Sequence, residues 1–385
     1  IVEKEVGYPL SRTKCLLSMT SNVTYCDLKG LQQNLKDYSE YLVFIICICG
    51  CISNCFNICV LSRKQMQCPT NYILLRMAVV DMLVMLDYMP FSYLMTQQTS
   101  VYIPYYYSHY FAVYVILHTV FSQTLHFISC CLTIILALWR YIAVKFPQNN
   151  RKWCSPKMTK WTIFLVYILC PIICIPIFLS HMIVEKTAHV FDNHTFVLSK
   201  PNDTNTTSVI INYVTLKDGF YKLISLYTYG VLVKLVPCIL LTILSVLIII
   251  ELLAAKKRMK KLMNPVTKDA DGLVKKKPSQ RVVEKEKQAH RTTKMLLAVL
   301  LLFLLVEFPQ AIYGLLIVII GDDFQAQCYN PIGPLIDIIV LLSCAINFFL
   351  YCIMSQKFRE VFKEIFFPYL TKYGTWTKTS STIEL

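Results

Sequence analysis

Seven long runs of apolar residues divide the chain, and each is long enough for a helix to cross a membrane. A helical crossing needs about 20 apolar residues, because each residue adds about 1.5 Å to a helix and the hydrocarbon layer is about 30 Å thick. The runs cover approximately residues 40–61, 70–96, 108–138, 160–184, 222–255, 293–320 and 332–354. The pattern predicts an all-α membrane protein, a bundle of seven transmembrane helices.

The segments around the runs complete the predicted organisation. Residues 355–367 alternate apolar and charged side chains at helical spacing, which predicts an amphipathic helix on the inner membrane surface. The charged stretch 254–289 contains two prolines and is predicted to be a water-exposed, partly disordered loop. We therefore expect an N-terminal segment 1–39, a bundle 40–354, the amphipathic helix and a cytoplasmic tail 368–385.

Two independent signals orient the predicted bundle. Asn-x-Ser/Thr sequons, which accept N-linked glycans, lie before the first run and between the fourth and fifth, at Asn22, Asn193, Asn202 and Asn205. Basic clusters lie in the other loops, at 63–64, 151–160, 256–261 and 275–277. Basic residues accumulate on the cytoplasmic side. Both signals therefore predict an extracellular N-terminus and a cytoplasmic C-terminus in the plasma membrane.

The composition also favours a membrane protein. Hydrophobic residues make up 56% of the chain and charged residues 16%, with a mean hydropathy of +0.52, whereas soluble domains carry about 25% charged residues. The net charge is +15, and Lys and Arg are gathered into a few short runs. Such clusters are typical of nucleic-acid binders or of the cytoplasmic face of a membrane, and the apolar runs favour the membrane. The chain opens at Ile1 and not at a Met, so we expect a processed or trimmed start, and no signal segment is visible there.

The third run carries polar side chains on one helical face. They recur at steps of three, four or seven, at His118, Ser122, His126, Ser129, Thr133 and Arg140. A buried Ser or Thr more often bonds its own helix carbonyl than a ligand. For each His, a hydrogen bond to another helix and a contact with a ligand are equally good interpretations. Arg140 needs a functional explanation, because a charge at the end of a membrane helix is costly without water, a headgroup or a polar partner.

Carboxylates also lie inside the predicted helices, where they are rare and usually face the bundle interior. They are Asp81, Asp87, Glu307 and Asp337. A protonated, hydrogen-bonded carboxyl is the simpler interpretation of Asp81 and Glu307. For Asp81 we favour a function, because its expected polar neighbours on other helices are Asn54, Ser129 and Asn347. Such a group of oxygens can hold a small cation, and sodium bound by Asp81, Ser129 and Asn347 is the one we expect.

Catalytic motifs are absent from the sequence. It contains no Walker loop, HExxH, GxSxG or Cys-x-x-Cys with metal spacing, and we expect no enzyme. A seven-span transporter or ion pathway is the alternative. It would be expected to show internal repeats or paired broken helices, and the sequence shows neither.

The motifs resemble those of rhodopsin-like G-protein-coupled receptors over residues 40–367. The matching residues are Asn54, Asp81, Trp139, Arg140, Tyr141, Trp161, Pro237, Pro309 and the run Asn347-Phe348-Phe349-Leu350-Tyr351. Within that class, residues 66–71, 139–144, 307–310 and 347–351 look like invertebrate myosuppressin and FMRFamide-like peptide receptors. The resemblance implies a coupling and switch set of Arg140, Trp139, Tyr141, Asn347, Tyr351, Pro309 and Phe303. Arg140 would contact a G-protein helix when the sixth helix swings outward.

The sequence departs from this class at the positions that usually restrain the arginine. The substituted positions are Trp139 and Ala289 (usually acids), Ser245 (usually Tyr), Glu307 (usually Trp) and Phe348 (usually Pro). The restraint on Arg140 in the resting state must therefore differ from the usual one. A switch near Pro309 is still expected, with mechanics that do not carry over from the class.

The cysteines depart from the class as well. Most of the 17 lie in the apolar runs, where a thiol packs as a small hydrophobe. The usual bridge from the third run to the second outer loop is absent, because no Cys lies between Ile175 and Pro237. Only Cys15, Cys26 and Cys328 lie clearly outside the membrane. Both Cys26–Cys328 and Cys15–Cys26 are open, and we prefer the first because the second outer loop has no anchor of its own.

The resemblance implies a short peptide ligand ending in Arg-Phe-amide and a G protein of the inhibitory class. A guanidinium pairs strongly with a carboxylate, and we expect Asp337 first, Asp87 second and Glu307 third. The groups expected to hold the Phe ring and the amide are Tyr88, His118, Gln123, His126, Phe308 and Gln310. Membrane lipid, arrestin and a receptor kinase are further expected partners. Residues 375–382 are rich in Ser and Thr, which suits phosphorylation by such a kinase. A same-fold receptor for a small molecule is the alternative, with a more closed pocket.

Overall fold

The helices follow the apolar runs of the sequence. The computed structural model describes residues 24–96, 108–190, 196–197, 207–217, 219–263 and 280–368. The long helices are α1 (Lys29–Leu61), α2 (Pro69–Thr96), α3 (His109–Lys145), α4 (Pro156–Ser180), α5, α6 (Gln280–Ile320), α7 (Asn330–Met354) and α8 (Gln356–Phe366). Helix α5 is continuous through an α-helical segment Phe220–Tyr227, a π-helical segment Thr228–Leu235 and an α-helical segment Val236–Met263. Short helical turns are Lys64–Met66, Asn150–Trp153, Asp322–Phe324 and Gln325–Tyr329.

Several predicted features lie outside the described residues. They are the sequon residues Asn22, Asn193, Asn202 and Asn205, together with Cys15 and the tail 375–382. The predicted loop 254–289 is shorter than expected, because α5 continues to Met263 and α6 already begins at Gln280. Lys, Arg, Glu and Gln are good helix formers, so the charged ends of this stretch extend the two helices instead of breaking them.

Six helices of the described residues are long and apolar enough to cross a membrane. These spans are Tyr38–Leu61, His109–Lys145, Pro156–Ser180, Phe220–Ala255, Leu300–Ile320 and Gln325–Ile353. The seventh predicted crossing corresponds to α2, which has 28 residues and is not among the six. Helix α2 carries Arg76, Asp81 and Asp87. It packs between α1 and α3 as part of the same bundle.

The two ends of the bundle are distinguished by a disulfide and by Arg140. Cys26, just before α1, forms a disulfide with Cys328, just before α7, with a Cα–Cα distance of 5.4 Å. Tyr25 reinforces this link, because its backbone N–H donates to Gln327 Oε1 at 2.9 Å. The predicted long bridge is therefore confirmed. We call this end of the bundle the disulfide end and the opposite end, where α3 closes with Arg140, the arginine end.

A small antiparallel sheet, which was not predicted from the sequence, follows α4. Strands β1 (His181–Val190) and β3 (Thr207–Leu216) pair from His181↔Leu216 to Val190↔Thr207, and β2 (Phe196–Val197) pairs with the far end of β1. Val214 of β3 packs against a buried cluster that contains Phe91 and Phe111. The sheet therefore holds the segment between α4 and α5 against the disulfide end by pairing and packing. This corrects the expectation that the segment lacks an anchor.

Aromatic packing attaches α8 to the arginine end. Phe348, which stands where the resemblance expects a proline, lies 5.5 Å from the Phe56 ring of α1 and 5.6 Å from the Phe362 ring of α8. Arg359 donates to the carbonyls of Cys352 and Ile353 at 3.0 and 2.9 Å, which satisfies acceptors at the end of α7. A helix, Gln356–Phe366, thus lies in the predicted segment 355–367, and the Phe348 substitution supplies part of its packing.

Candidate functional site

Polar side chains line the interior of the bundle along α3. His118, Ser122, His126, Ser129 and Thr133 are all buried. Thr133 donates to its own helix at the Ser129 carbonyl (2.8 Å), and Ser122 does so at the Thr119 carbonyl (3.4 Å). The simpler interpretation therefore fits these two hydroxyls, whereas His118, His126 and Ser129 contact side chains of other helices.

Glu307 lies at the centre of a buried charge network that joins three helices. One carboxylate oxygen lies 2.9 Å from His126 Nε2 on α3, and the other accepts from Lys234 Nζ on α5 at 3.1 Å. Lys234 also donates to Gln310 Oε1 at 2.6 Å. Lys234 is 3% exposed and Glu307 2% exposed, so each charge depends on the other for compensation. We call His126, Lys234, Glu307 and Gln310 the charge network.

The π-helical segment of α5 places Lys234 toward α6. An extra residue per turn changes which side chains face the interior, and such segments are frequent at functional sites. Gly230 lies in the same segment and faces Gly314 of α6 so closely that a Cβ there would lie 3.0 Å from the Gly314 carbonyl oxygen. Two glycines therefore let α5 and α6 approach closely enough for Lys234 to reach Glu307.

Part of the charge network has the spacing of a metal site. His126, Cys130 and Glu307 offer ligand atoms within 4.8 Å of one another, and all three residue types bind zinc. The ammonium group of Lys234, 3.1 Å from Glu307, is itself a cation at this position. We therefore interpret these residues as a protein-internal ion network.

Asp87 forms a second acidic contact nearer the disulfide end. Its Oδ2 lies 2.8 Å from His118 Nδ1. The His118 ring stacks on Phe91, with ring centroids 3.9 Å apart and an interplanar angle of 11°, and meets the Tyr88 ring edge-on at 4.9 Å. This acid is therefore already paired with a basic side chain.

Asp337 on α7 is the third acid at this level. Its Oδ1 accepts a hydrogen bond from the Tyr88 hydroxyl at 3.3 Å. Among the residues that the structure describes, no Lys, Arg or His forms an ion pair with Asp337, in contrast to Asp87 and Glu307. Of the three acids predicted to bind the ligand, Asp337 is therefore the one without a basic partner among the described residues.

Asp81 lies deeper in the bundle and accepts two hydrogen bonds. Ser129 Oγ donates to one carboxylate oxygen and Asn347 Nδ2 to the other, each at 3.0 Å. Asn54 does not join them, because its amide donates to the carbonyls of Gly50 and Cys344. Two of the three predicted neighbours of Asp81 are thus brought together, and the third stabilises the packing of α1 on α7.

Arg140 has no acidic partner in the described part of the chain. Its Nε is buried without a hydrogen-bond partner, and the same holds for the Ser245 hydroxyl. The neighbouring residues are occupied elsewhere, since Trp139 Nε1 donates to Thr159 on α4 at 3.0 Å and the Tyr141 hydroxyl accepts from Lys145 at 2.6 Å. Lys145 also contacts Glu251 of α5 at 3.5 Å. The structure describes the backbone of Ala289 and Phe303 as part of α6 but not their side chains.

The remaining predicted residues fall into different surroundings. Gln123 Oε1 is buried without a hydrogen-bond partner and is an available acceptor. Phe308 is 53% exposed and lies about 100° around α6 from Glu307, so the structure does not bring it into the charge network. Pro309 lies inside α6, and Tyr351 is buried against Phe358 of α8.

A family profile matches most of this bundle. The profile described as "Serpentine type 7TM GPCR chemoreceptor Srw" matches residues 41–368, from α1 to the end of α8. The chain belongs to this family of G-protein-coupled receptors. It is a multi-pass membrane receptor and not an enzyme, as the motif analysis predicted. Membership of a seven-transmembrane family also supports α2 as the seventh crossing of the receptor.

Curated relatives of the receptor carry similar names. It is 29% identical to the sex peptide receptor of Drosophila melanogaster over 94% of this chain and 83% of that protein. It is 26% identical to the G-protein coupled receptor dmsr-1 of Caenorhabditis elegans over 85% of this chain and 68% of that protein. It is 22% identical to the FMRFamide receptor of Drosophila melanogaster over 85% of this chain and 53% of that protein. Two of these three relatives are named as receptors for peptides, which agrees with the resemblance.

Lys234 is the charged residue of the charge network that sequence reasoning missed. It is the only charged side chain between Lys222 and Glu251, inside an otherwise apolar span. An isolated lysine at that depth requires a buried partner. That signal, taken together with Glu307 in the neighbouring span, could have identified the charge network.

Proposed function

We propose that the receptor binds a short peptide ending in Arg-Phe-amide at its disulfide end and activates a heterotrimeric G protein of the inhibitory class at its arginine end. The disulfide end faces the outside of the plasma membrane in this proposal. The sequons and the basic loops of the sequence support that orientation. Glycans at the sequon asparagines belong to the same proposal.

The observation that carries this proposal is that Asp87 and Glu307 have basic partners among the described residues and Asp337 has none. His118 is paired with Asp87, and Lys234 and His126 are paired with Glu307. A ligand guanidinium would have to displace those partners, whereas the Asp337 carboxylate offers free acceptor positions to two parallel N–H groups. A cationic ligand is thus favoured, and Asp337 is its proposed partner.

Neighbouring groups suit the remaining parts of such a peptide. Phe91, His118 and Tyr88 form an aromatic cluster next to Asp337 that can pack against the Phe ring. The buried Gln123 oxygen without a partner can accept an N–H from the terminal amide. A free carboxylate terminus would compete with Glu307 for the Lys234 ammonium, so an amide is the better match.

The relatives support a peptide ligand by their names. The sex peptide receptor and the FMRFamide receptor are both named after peptides, and the second name is that of an amidated peptide with Arg-Phe at its end. The inhibitory G-protein class is supported by the resemblance to invertebrate FMRFamide-like peptide receptors.

The test is peptide-dependent nucleotide exchange on purified G proteins. The receptor is reconstituted in membranes with an inhibitory, a stimulatory or a phospholipase-activating heterotrimer, and Phe-Met-Arg-Phe-amide is the probe. We expect exchange on the inhibitory heterotrimer with the amide and far less with the free-acid peptide. Exchange driven only by small molecules would favour the alternative ligand class, and exchange on another heterotrimer would correct the coupling.

Arg140→Ala is expected to abolish this exchange while leaving peptide binding within about threefold of the wild-type value. Arg140 has no acidic partner among the described residues, so its removal is expected to take away a G-protein contact without breaking an ion pair there. Equilibrium peptide binding and nucleotide exchange measured on the same membranes check this. Retained exchange would remove Arg140 from the coupling surface.

We also propose sodium as the ion held by Asp81, Ser129 and Asn347. The Asp81 carboxylate and the Ser129 hydroxyl are buried, and their oxygens lie 3.0 Å apart. Oxygen ligands are those that a small hard cation prefers. Asn347 would contribute its oxygen by rotating the amide, whose nitrogen now faces Asp81.

Sodium is therefore expected to raise the Tm of the wild-type receptor and not that of Asp81→Asn. A ligand that binds only the folded state stabilises it by mass action. Thermal unfolding in sodium chloride and in choline chloride at equal ionic strength measures the effect, and Ser129→Ala is expected to show a reduced response. The same sodium response in Asp81→Asn would exclude this site.

A further inference from the structure

A hydrogen bond between α2 and α7 holds the proposed cation partner. The Tyr88 hydroxyl donates to Asp337 Oδ1 at 3.3 Å, and this bond leaves Oδ2 unused. Each carboxylate oxygen can accept two hydrogen bonds, so three of about four acceptor positions are left. The bond therefore restricts the orientation of the carboxylate without consuming its capacity for a ligand.

The Tyr88 ring is itself held by a series of contacts. Its edge-on neighbour is the His118 ring at 4.9 Å, and the Phe91 ring meets it at 6.4 Å with an interplanar angle of 80°. His118 is fixed in turn by stacking on Phe91 and by Asp87 Oδ2 at 2.8 Å. Because aromatic packing on two sides restricts its χ angles, Tyr88 presents its hydroxyl to Asp337 in a defined direction.

We propose that Tyr88 is a positioning residue that makes the site select arginine over lysine in the peptide. A guanidinium binds a carboxylate through a planar fork, so its affinity depends on the plane of the Asp337 carboxylate. An ammonium is a point charge with three rotatable donors and tolerates rotation of the carboxylate. This inference rests on the proposed function, because it assigns the Arg side chain of the peptide to Asp337.

The experiment compares two peptides across a double-mutant cycle. Phe-Met-Arg-Phe-amide and Phe-Met-Lys-Phe-amide are titrated against wild-type, Tyr88→Phe, Asp337→Asn and double-mutant receptors. We expect Tyr88→Phe to lower the potency of the Arg peptide about tenfold and that of the Lys peptide much less, since a hydrogen bond to a charged group is lost. In the Asp337→Asn background, Tyr88→Phe is expected to change neither potency. Tyr110→Phe is the control, because Tyr110 is 83% exposed on α3.

Two results would overturn the proposal. Equal losses caused by Tyr88→Phe in both backgrounds would mean that the Tyr88 hydroxyl contacts the peptide directly and does not act through Asp337. Equal losses for the Arg and Lys peptides would mean that the hydroxyl does not set the selectivity.

Infrared spectroscopy separates this proposal from the proposed function. The carboxyl band that disappears in Asp337→Asn is assigned to Asp337 in the ligand-free receptor. We expect Tyr88→Phe to shift this band and Tyr110→Phe to leave it in place. If Tyr88→Phe shifted the band but Asp337→Asn left the peptide potency unchanged, the proposed ligand would be contradicted. The hydrogen bond by which Tyr88 orients Asp337 would still stand. An unshifted band would overturn the positioning role whatever the peptide result.

Discussion

Replacing Asp337 by asparagine is expected to lower the potency of Phe-Met-Arg-Phe-amide about a hundredfold at unchanged surface expression. Removing one partner of a buried, hydrogen-bonded charge pair costs about 2–5 kcal/mol, and 1.4 kcal/mol corresponds to a factor of ten. The substitution keeps the shape of the side chain and an acceptor for the Tyr88 hydroxyl. Concentration–response curves for G-protein activation measure the effect, and antibody labelling of intact cells measures expression.

A peptide with citrulline in place of arginine is the matched control. Citrulline has almost the same shape as arginine but no charge. The potency of the citrulline peptide should therefore be low on the wild-type receptor and unaffected by Asp337→Asn. Asp87→Asn and Glu307→Gln are informative comparisons, because both acids already contact basic side chains. If either lowered potency for the Arg peptide more than for the citrulline peptide while Asp337→Asn did not, that acid would replace Asp337 as the proposed partner.

The seven-helix bundle could be predicted from the sequence because its signal is long and repeated. Each crossing requires about 20 apolar residues, and the run limits fall within a few residues of most helix ends. Helix ends in water were predicted less well. Helix α1 begins at Lys29, before the predicted residue 40, because polar helix-forming residues extend it beyond the apolar run.

The site could be predicted only as a set of residue types. The four intramembrane acids were expected to face the interior, and Asp81, Asp87, Glu307 and Asp337 each contact a side chain of another helix. Which acid has a basic partner is a property of helix rotation and contact, and the sequence does not contain it. Lys234 reaches Glu307 because of a π-helical segment and two facing glycines, which no apolar periodicity reveals.

The β1–β3 hairpin was missed for a different reason. The residues of β3 are rich in β-branched side chains, which favour a strand, but the pairing partner lies across residues 191–206. Non-local pairing is not encoded in a single window of sequence. The absence of a cysteine between the fourth and fifth runs suggested a segment without an anchor, whereas backbone pairing and Val214 packing provide one.

The contacts of Glu307 and Arg140 locate the charged restraint on α6 in the middle of the bundle. Glu307 ties α6 to α3 through His126 and to α5 through Lys234, with contacts of 2.9 and 3.1 Å. Arg140 has no comparable contact to an acid in the described residues. Any displacement of α6 relative to α3 and α5 must therefore lengthen or break the Glu307 contacts. The carboxylate of Glu307, two residues before Pro309, therefore links α6 to both neighbouring helices.

Lys234→Met is expected to destabilise the receptor by about 3–5 kcal/mol, because Glu307 would keep a buried charge without its ammonium partner. Glu307→Gln is expected to have a similar effect, since Lys234 would then contact only neutral groups. The double variant should recover most of the loss, because replacing both members of a buried ion pair is often neutral. Thermal unfolding of purified receptor and surface expression measure all three variants.

Lys257→Met provides the control for losing a lysine from the same helix. Lys257 lies exposed near the end of α5, where surface substitutions change stability by about 0.5 kcal/mol or less. The coupling between Lys234 and Glu307 is the double-variant change minus the sum of the two single changes, and we expect it to be large and restoring. Additive losses would instead mean that each side chain stabilises the bundle through its own packing. In that case the contact of 3.1 Å would not be the bond that holds α5 to α6.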